Sequence, residues 1–339
     1  MRPRWSFVLV AALALVALGT SLVVGAVDTS PRDVMSAFAE VVGLAPPGST
    51  DSRHVAVLLD IRAPRVATGL LVGAALGAAG AALQGVFRNP LADPSLLGVS
   101  LGASLGAALV IVLGQGIGSL WATPAGAFAG GLGATLLASL AAQSGRSLDT
   151  VSLLLGGIAV QAFCGAAIGL LIYVASDSKQ RDLTFWLLGS LGGSTWHRLG
   201  AAALPLGVAI VGLPRLARSL DALALGEAEA SDLGIAVGRV RAAAVILCAL
   251  GVGAAVAISG PIGFVGLVVP HLARILGGAS HRITIVGSAI GGGLLLVIAD
   301  TLARTIVKPA ELPIGVVTAF LGAPFFYFLL LRRRRAEVA

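Results

Sequence analysis

The stretch from Arg62 to Gly106 reads RAPRVATGLLVGAALGAAGAALQGVFRNPLADPSLLGVSLGASLG and holds two runs of small and apolar residues. Each run carries three glycines spaced four residues apart, and these are Gly69, Gly73, Gly77 and then Gly98, Gly102, Gly106. Glycines at this spacing share one helix face and let another backbone approach closely. Arg88 and Pro90 stop the first run. The pattern predicts two tightly packed membrane helices joined by a polar turn.

Composition supports a membrane location for the whole chain. Of its 339 residues, 57% are hydrophobic and 12% are charged, whereas soluble domains have roughly 25% charged residues. The net charge of +7 does not indicate nucleic-acid binding, because no basic stripe is interleaved with aromatic residues. The longest basic run, Arg332 to Arg335, is better explained as a cytoplasmic membrane anchor. We therefore predict an all-α integral membrane protein with a single transmembrane domain over residues 1–339.

Hydropathy predicts about ten transmembrane helices. Residues 5–27 could be a signal peptide cleaved after Ala26, but an uncharged run of this length better suits a retained spanning helix. The other predicted spans are 66–87, 95–114, 119–142, 151–175, 193–213, 241–258, 261–276, 283–303 and 313–331.

Charge asymmetry orients these spans. If the N-terminus is cytoplasmic, the inner segments hold the larger share of the arginines and lysines, as the positive-inside rule requires. Both termini are then predicted to be cytoplasmic, and residues 28–60 form an external loop.

The longest inner connection, residues 214–240, has an unusual composition. It mixes leucines and alanines with acids at amphipathic spacing, which predicts short helices outside the membrane. Without a partner its leucines would be left in water, so the pattern favours a protein-docking surface over a solvated loop.

The predicted span centres contain no Asp, Glu, Lys or Arg, and their deepest polar residues are Gln84 and Gln161. This argues against ion-coupled transport and against an intramembrane enzyme. The two lysines do not form a phosphate-binding Gly-Lys-Ser/Thr motif, so the chain is not an ATPase by that route.

The two cysteines lie in apolar runs, and we predict no metal or haem ligand among the four histidines, His54, His197, His271 and His281. Two classes of function remain: a membrane transport subunit driven by a separate motor, and a non-transporting scaffold or receptor.

Several segments together resemble the FecCD family of permeases, the membrane subunits of type II ABC importers for ferric siderophores, haem and cobalamin. These segments are RAPR at 62–65, the glycine-rich run at 73–104, LGEAEASDLG at 225–234, GPIGFVGLVVPHLAR at 260–274, His281-Arg282, DTLAR at 300–304 and ELPIGVVTAFLGAPFF at 311–326.

The resemblance implies three kinds of protein partner. They are a cytoplasmic ABC ATPase dimer that uses ATP and Mg²⁺, an extracytoplasmic substrate-binding protein, and a second permease that is either a copy or a paralogue. The chain itself would bind no cofactor. It would lie as a multi-pass protein in the bacterial inner membrane, in contact with lipid.

The resemblance also implies roles for particular residues. Outward-facing Arg62, Arg65 and Arg304 would dock acidic residues of the binding protein. The helix with Gln161 and the last helix would line the pathway. Contact with the ATPase would involve the motif positions Leu225, Gly226, Glu227, Ala230, Leu233 and Gly234. The expected cargo is an iron chelate, first a ferric siderophore, with haem or cobalamin as the alternative.

Overall fold

A computed structural model describes residues 3–25, 30–46, 48, 50–114, 120–144 and 147–338. These residues form fifteen α-helices and one short antiparallel pair, Gln143–Ser144 with Ser147–Leu148. The helices are α1 Pro3–Val23, α2 Pro31–Val41, α3 Ser52–Ala56, α4 Ala63–Val86, α5 Val99–Leu113, α6 Ala122–Ala141, α7 Thr150–Val174, α8 Asp177–Leu187, α9 Trp196–Gly212, α10 Ala217–Leu223, α11 Glu227–Asp232, α12 Val237–Ser259, α13 Val265–Gly277, α14 His281–Thr305 and α15 Ile314–Val338.

Six helical segments of the described chain are long and apolar enough to cross a membrane. They contain α4, α6, α7, α9, α12 and α14. Shorter apolar helices, Ala12–Val23, Val99–Leu113, Val265–Gly277 and Ile314–Phe328, occupy the positions of the other four predicted spans. The chain is thus a multi-pass helical membrane protein, and the count of ten spans with cytoplasmic termini stays a prediction.

The predicted external loop at 28–60 is largely helical where it is described. It holds α2, α3 and a π-helical turn at Val57–Arg62, and the helix continues without a break from Ser52 to Val86. The helix therefore begins before the predicted span at residue 66, because the polar residues between 51 and 62 do not interrupt the backbone hydrogen bonding that leads into α4. The start of the span itself stays a prediction.

The first glycine face packs as closely as its spacing predicts. A Cβ added at Gly73 would collide with the carbonyl oxygen of Gly292, and one at Gly77 with that of Ser288, both on α14. Gly69, on the same face, is less crowded. The backbones of α4 and α14 therefore touch directly.

The second glycine face has a different partner. A Cβ at Gly102 would lie 2.6 Å from the carbonyl oxygen of Gly130 on α6, and Gly106 meets Gly126 of the same helix. The prediction that the two glycine runs form one packed pair was wrong, because α4 pairs with α14 and α5 pairs with α6. Gly98 lies outside the second face, because its φ of 78° makes it the left-handed turn residue before α5.

The non-helical segment after α12 lies beside two other breaks, the one between α8 and α9 and the one before α15. Gly260 has φ 67°, and residues 260–264 between α12 and α13 are not helical. The N–H of Ser190 donates to the carbonyl of Ser259 at 2.8 Å, and the N–H of Ile314 donates to Gly189 at 3.1 Å. The interrupted backbone thus finds hydrogen-bond partners in protein, as a membrane-embedded break requires.

Candidate functional sites

At one end of the bundle, here called the arginine end, Arg65 joins three helical regions. Its Nε donates to both carboxylate oxygens of Asp300 on α14 at 3.0 Å. Its two terminal nitrogens form a bidentate pair with Glu311 at 3.1 and 2.9 Å. Since Glu311 lies just before α15, Arg65 connects α4, α14 and the start of α15 through charge-assisted hydrogen bonds.

The other two arginines bind the end of α1. Arg62 donates to the carbonyl oxygens of Leu22 and Val23 at 2.6 and 2.7 Å. Arg304 pairs with Asp300 at 3.1 Å and donates to the hydroxyl of Ser21 at 2.8 Å. The arginine end is therefore a network that includes α1, α4, α14 and the segment before α15.

The three arginines predicted to dock the binding protein are buried in the described chain, and their place on the outer side of the membrane stays a prediction. Arg62, Arg65 and Arg304 are 3%, 7% and 5% exposed. Their guanidinium groups hold carboxylates and helix-end carbonyls of the same chain, because a charge at the end of a span is stable only when paired or hydrated. Glu311, whose side chain is 39% exposed, is the more accessible member of the network. Docking itself stays a prediction.

At the opposite end of the bundle, residues 214–240 fold as predicted into short helices. This segment, here called the coupling loop, contains α10 and α11. Leu220, Leu223 and Ala230 are buried. Leu225 and Leu233 flank α11 and are 69% and 66% exposed.

Two glycines shape this part of the loop. Gly226 has φ 145° and precedes α11, and Gly234 has φ 81° and follows it. Both values lie where a side chain is unfavourable, so glycine permits both turns. The turns place the two exposed leucines at the two ends of α11, which itself exposes the acids Glu227, Glu229 and Asp232.

Polar contacts attach the coupling loop to two spans. Glu227 of α11 forms an ion pair with Arg241, which is buried near the start of α12. Asp221 of α10 accepts a hydrogen bond from the backbone N–H of His281 at 2.9 Å and lies 2.7 Å from its Nδ1. From the sequence, His281 was predicted only not to bind a metal or haem, and neither of these two pairs was predicted.

The residues predicted to line a pathway lie on less buried helices. Gln161 on α7 is partly exposed. The same helix exposes Phe163 and Tyr173, and α15 exposes Phe320. Surfaces of this kind suit lipid or a second permease, but the pathway role of Gln161 stays a prediction.

Neither metal-binding clusters nor disulfides occur in the part of the chain that the structure describes. Cys164 and Cys248 are buried free thiols. His197 packs against Trp121 with ring centroids 4.9 Å apart, and His271 lies edge-on to Phe325. Both histidines thus pack against aromatic rings, and the absence of a metal-ligand role for them stays a prediction.

Comparison with known proteins agrees with this architecture. Residues 13–332 match the model of the FecCD transport family. The chain is 44% identical over 290 residues to the hemin transport system permease protein HmuU of Yersinia pestis, covering 84% of this chain and 86% of that one. It is 40% identical over 294 residues to the vitamin B12 import system permease protein BtuC of Salmonella paratyphi A, covering 86% and 89%.

A solved structure shares the whole fold. It is a metal-chelate type ABC transporter in an inward-facing conformation, with a TM-score of 0.83, 31% identity, and coverage of 97% of this chain and 99% of that chain. The family match, the two relatives and the shared fold extend over most of the sequence, and the chain belongs to the FecCD transport family.

Proposed function

We propose that this chain is the permease subunit of an ATP-driven importer that carries an iron chelate across the bacterial inner membrane. In this proposal ATP and Mg²⁺ act in a separate pair of cytoplasmic ATPase subunits, and the chain itself binds no cofactor. An extracytoplasmic binding protein delivers the chelate at the arginine end. A second permease, either a copy or a paralogue, completes the pathway.

The construction of the coupling loop carries this proposal. Its exposed Leu225 and Leu233 offer an apolar contact for another protein. An ion pair between Glu227 and Arg241 attaches the loop to α12, and the hydrogen bond that Asp221 accepts from the N–H of His281 attaches it to α14. A loop that binds a partner on one side and is attached to spans on the other can convert the partner's movement into movement of the spans. This arrangement supports a motor-driven permease more than a passive scaffold.

The proposed cargo is an iron chelate, either a ferric siderophore, which the sequence resemblance favours, or haem. The name of the Yersinia pestis relative supports haem. The names of the Salmonella relatives support cobalamin as the second candidate. All three are large chelates, and the absence of ionisable residues from the predicted span centres suits a wide conduit that does not bind small ions.

Uptake measurements test the transport function. Cells with and without this gene would receive radiolabelled iron as several siderophores and as haem, and labelled cobalamin in parallel. Loss of one uptake activity would support the importer and identify its cargo. Unchanged uptake of all of them, in a strain that lacks other importers for these compounds, would contradict the proposal.

Charge substitution at the coupling loop tests the ATPase contact. Leu225→Asp places a charge where an apolar contact is proposed, so we expect the ATPase to be lost during purification of the complex. Leu44→Asp is the matched control, because Leu44 is 80% exposed and belongs to the segment that leads into α4 at the arginine end. Equal retention of the ATPase in both variants would contradict the assignment.

A test of docking at the arginine end needs a variant that leaves the buried arginines in place. The two terminal nitrogens of Arg65 donate hydrogen bonds to Glu311. An acidic residue of the binding protein would therefore have to displace Glu311 in order to bind Arg65. Glu311→Gln should therefore tighten binding of that protein, whereas Asp60→Asn, which removes an exposed acid at the same end, should not. If the two substitutions have equal effects on the dissociation constant, Arg65 is not a docking residue.

A further inference from the structure

Helix α14 is capped by a residue of the coupling loop. Ser280, which precedes the helix, makes no side-chain hydrogen bond to it. Instead Asp221, 60 residues earlier in the chain, accepts the N–H of His281 with the same oxygen that lies 2.7 Å from the imidazole Nδ1. A carboxylate at a helix N-terminus is favoured by its free N–H groups and by the helix dipole. The start of α14 therefore depends on the position of α10.

The imidazole of His281 fills the space between the coupling loop and α4. Its side chain is 12% exposed. A Cβ built at Gly85 of α4 would lie 2.7 Å from Nε2 of His281 and 3.5 Å from Cβ of Leu220 in α10. If α10 moves relative to α14, it must either break the hydrogen bonds to His281 or drive the ring against the backbone of α4.

Beyond this contact, α14 can act as a rigid rod. Its backbone touches α4 at Gly73 and Gly77, and its 25 residues extend over about 37 Å. Near its other end Asp300 binds Arg65, which also holds Glu311 before α15. A displacement at His281 is thus transmitted toward the arginine end.

We propose that Asp221 and His281 are positioning residues that transmit movement of the coupling loop to α14. The proposal rests on the proposed permease function and assigns it a mechanical link. The pair between Glu227 and Arg241 attaches the same loop to α12, but the Glu227 side chain is 53% exposed. The Asp221 side chain is also partly exposed, at 43%, but its contact with His281 differs because the imidazole lies between α10, α14 and α4 and so joins three helices.

The test separates a local helix cap from a link between elements. Asp221→Ala removes the cap and the link together. Adding Ser280→Asp to that variant restores a cap from within the chain, because Ser280 has the extended conformation of a capping residue, with φ −60° and ψ 130°. Asp177→Ala, at an exposed acid of α8 outside the coupling loop, is the control.

The complex of permease, ATPase and binding protein would be placed in proteoliposomes with haemin, ferrichrome and cyanocobalamin in turn. For Asp221→Ala we expect ATP hydrolysis within about twofold of wild type, but at least about fivefold less chelate transported per ATP. The double variant, Asp221→Ala with Ser280→Asp, should regain the melting temperature of wild type and keep the low ratio of chelate transported to ATP hydrolysed. The control should match wild type in both measurements.

Two results would overturn the inference while leaving the permease function intact. One is an unchanged ratio of transport to hydrolysis in Asp221→Ala. The other is recovery of that ratio in the double variant, which would reduce Asp221 to a helix cap. If the wild-type complex moved none of the three compounds, the proposed cargo would fail instead, so the two failures are distinguishable.

Discussion

Substituting Gly73 with alanine tests whether the backbone contact between α4 and α14 holds the bundle together. A Cβ built at Gly73 lies 2.6 Å from the carbonyl carbon of Gly292 and 2.8 Å from Cα of Gly293. Non-bonded carbon atoms are about 3.5 Å apart or more, so the shorter of these two contacts requires the backbones to separate by roughly 0.9 Å. Because neither neighbour is a side chain that can rotate away, this gap forfeits about a quarter to a half of the dispersion energy at the contact.

Two opposing terms set the magnitude. Alanine restricts the unfolded backbone and so favours a helix by about 0.5–1 kcal/mol relative to glycine. Overpacking costs about 1–3 kcal/mol, so the net loss at Gly73 should be about 1–2 kcal/mol.

Two other glycines provide matched controls. At Gly69 a Cβ would meet the side-chain ends of Leu191 and Val297 at 3.3 and 3.4 Å, which can shift. At Gly133 of α6 it would meet nothing within 4 Å. Gly69→Ala should therefore be near neutral, and Gly133→Ala should stabilise the protein by about 0.5–1 kcal/mol.

The protein carries its own reporter of unfolding. Cys164 and Cys248 are 3% and 0% exposed, so a thiol-reactive dye labels them only as the bundle opens. With an unfolding entropy of about 2.1 cal/mol/K per residue, each kcal/mol shifts the melting temperature of a chain of this length by about 1.4 °C. Gly73→Ala should melt about 1–3 °C below wild type in detergent. If Gly73→Ala and Gly69→Ala melt at the same temperature, the close-contact argument is refuted.

Further predictions concern charged residues. Asp300→Asn should lower stability by about 3 kcal/mol because it leaves Arg65 and Arg304 without a buried counter-charge. Glu311→Gln, at a half-exposed acid, should cost at most about 1 kcal/mol. Equal losses of stability for the two variants in the same dye assay would contradict this prediction. The hydrogen bond from the N–H of Ser152 lowers the pKa of Asp149, which caps α7. This cap stabilises the fold above the unfolded pKa of about 3.9 and is lost as pH falls below it. The stability advantage of wild type over Asp149→Ala should therefore shrink between pH 6 and pH 3, and a constant difference would exclude the cap.

The sequence predicted which helix face packs closely, but it did not predict which helix packs against that face. The spacing of Gly69, Gly73 and Gly77 identified a surface for close backbone contact, and the structure places such a contact at Gly73 and Gly77. The partner on α14 lies more than 200 residues away, at Ser288 and Gly292. Local periodicity describes one surface only, so it could not choose between the next helix and a distant one.

The coupling loop was predicted in outline and missed in detail. Its amphipathic pattern predicted short helices and a docking surface, and exposed Leu225 and Leu233 agree with that pattern. The same pattern treated Leu220 like these two, although Leu220 is fully buried beside α4. An inward and an outward leucine on a short helix cannot be distinguished until its neighbours are known.

Hydropathy could not predict the burial and pairing of the three arginines, because it treats charges at span ends as solvated. One local signal was available, since Asp300 and Arg304 are four residues apart and share a helix face. The pair with Arg65 crosses 235 residues and had no local signal.

Both ends of the bundle meet the same physical requirement. A helix that ends near the membrane leaves backbone groups without partners, and water is less available there than at a soluble surface. The last carbonyls of α1 receive donors from Arg62 and Arg304, and the first N–H of α14 has its acceptor in Asp221. Because these caps come from other elements, a helix cannot move at either end without breaking a hydrogen bond or carrying its neighbour along. Such mutual capping links α1 and α14 to their neighbours, and links of this kind are what a permease driven from one end requires.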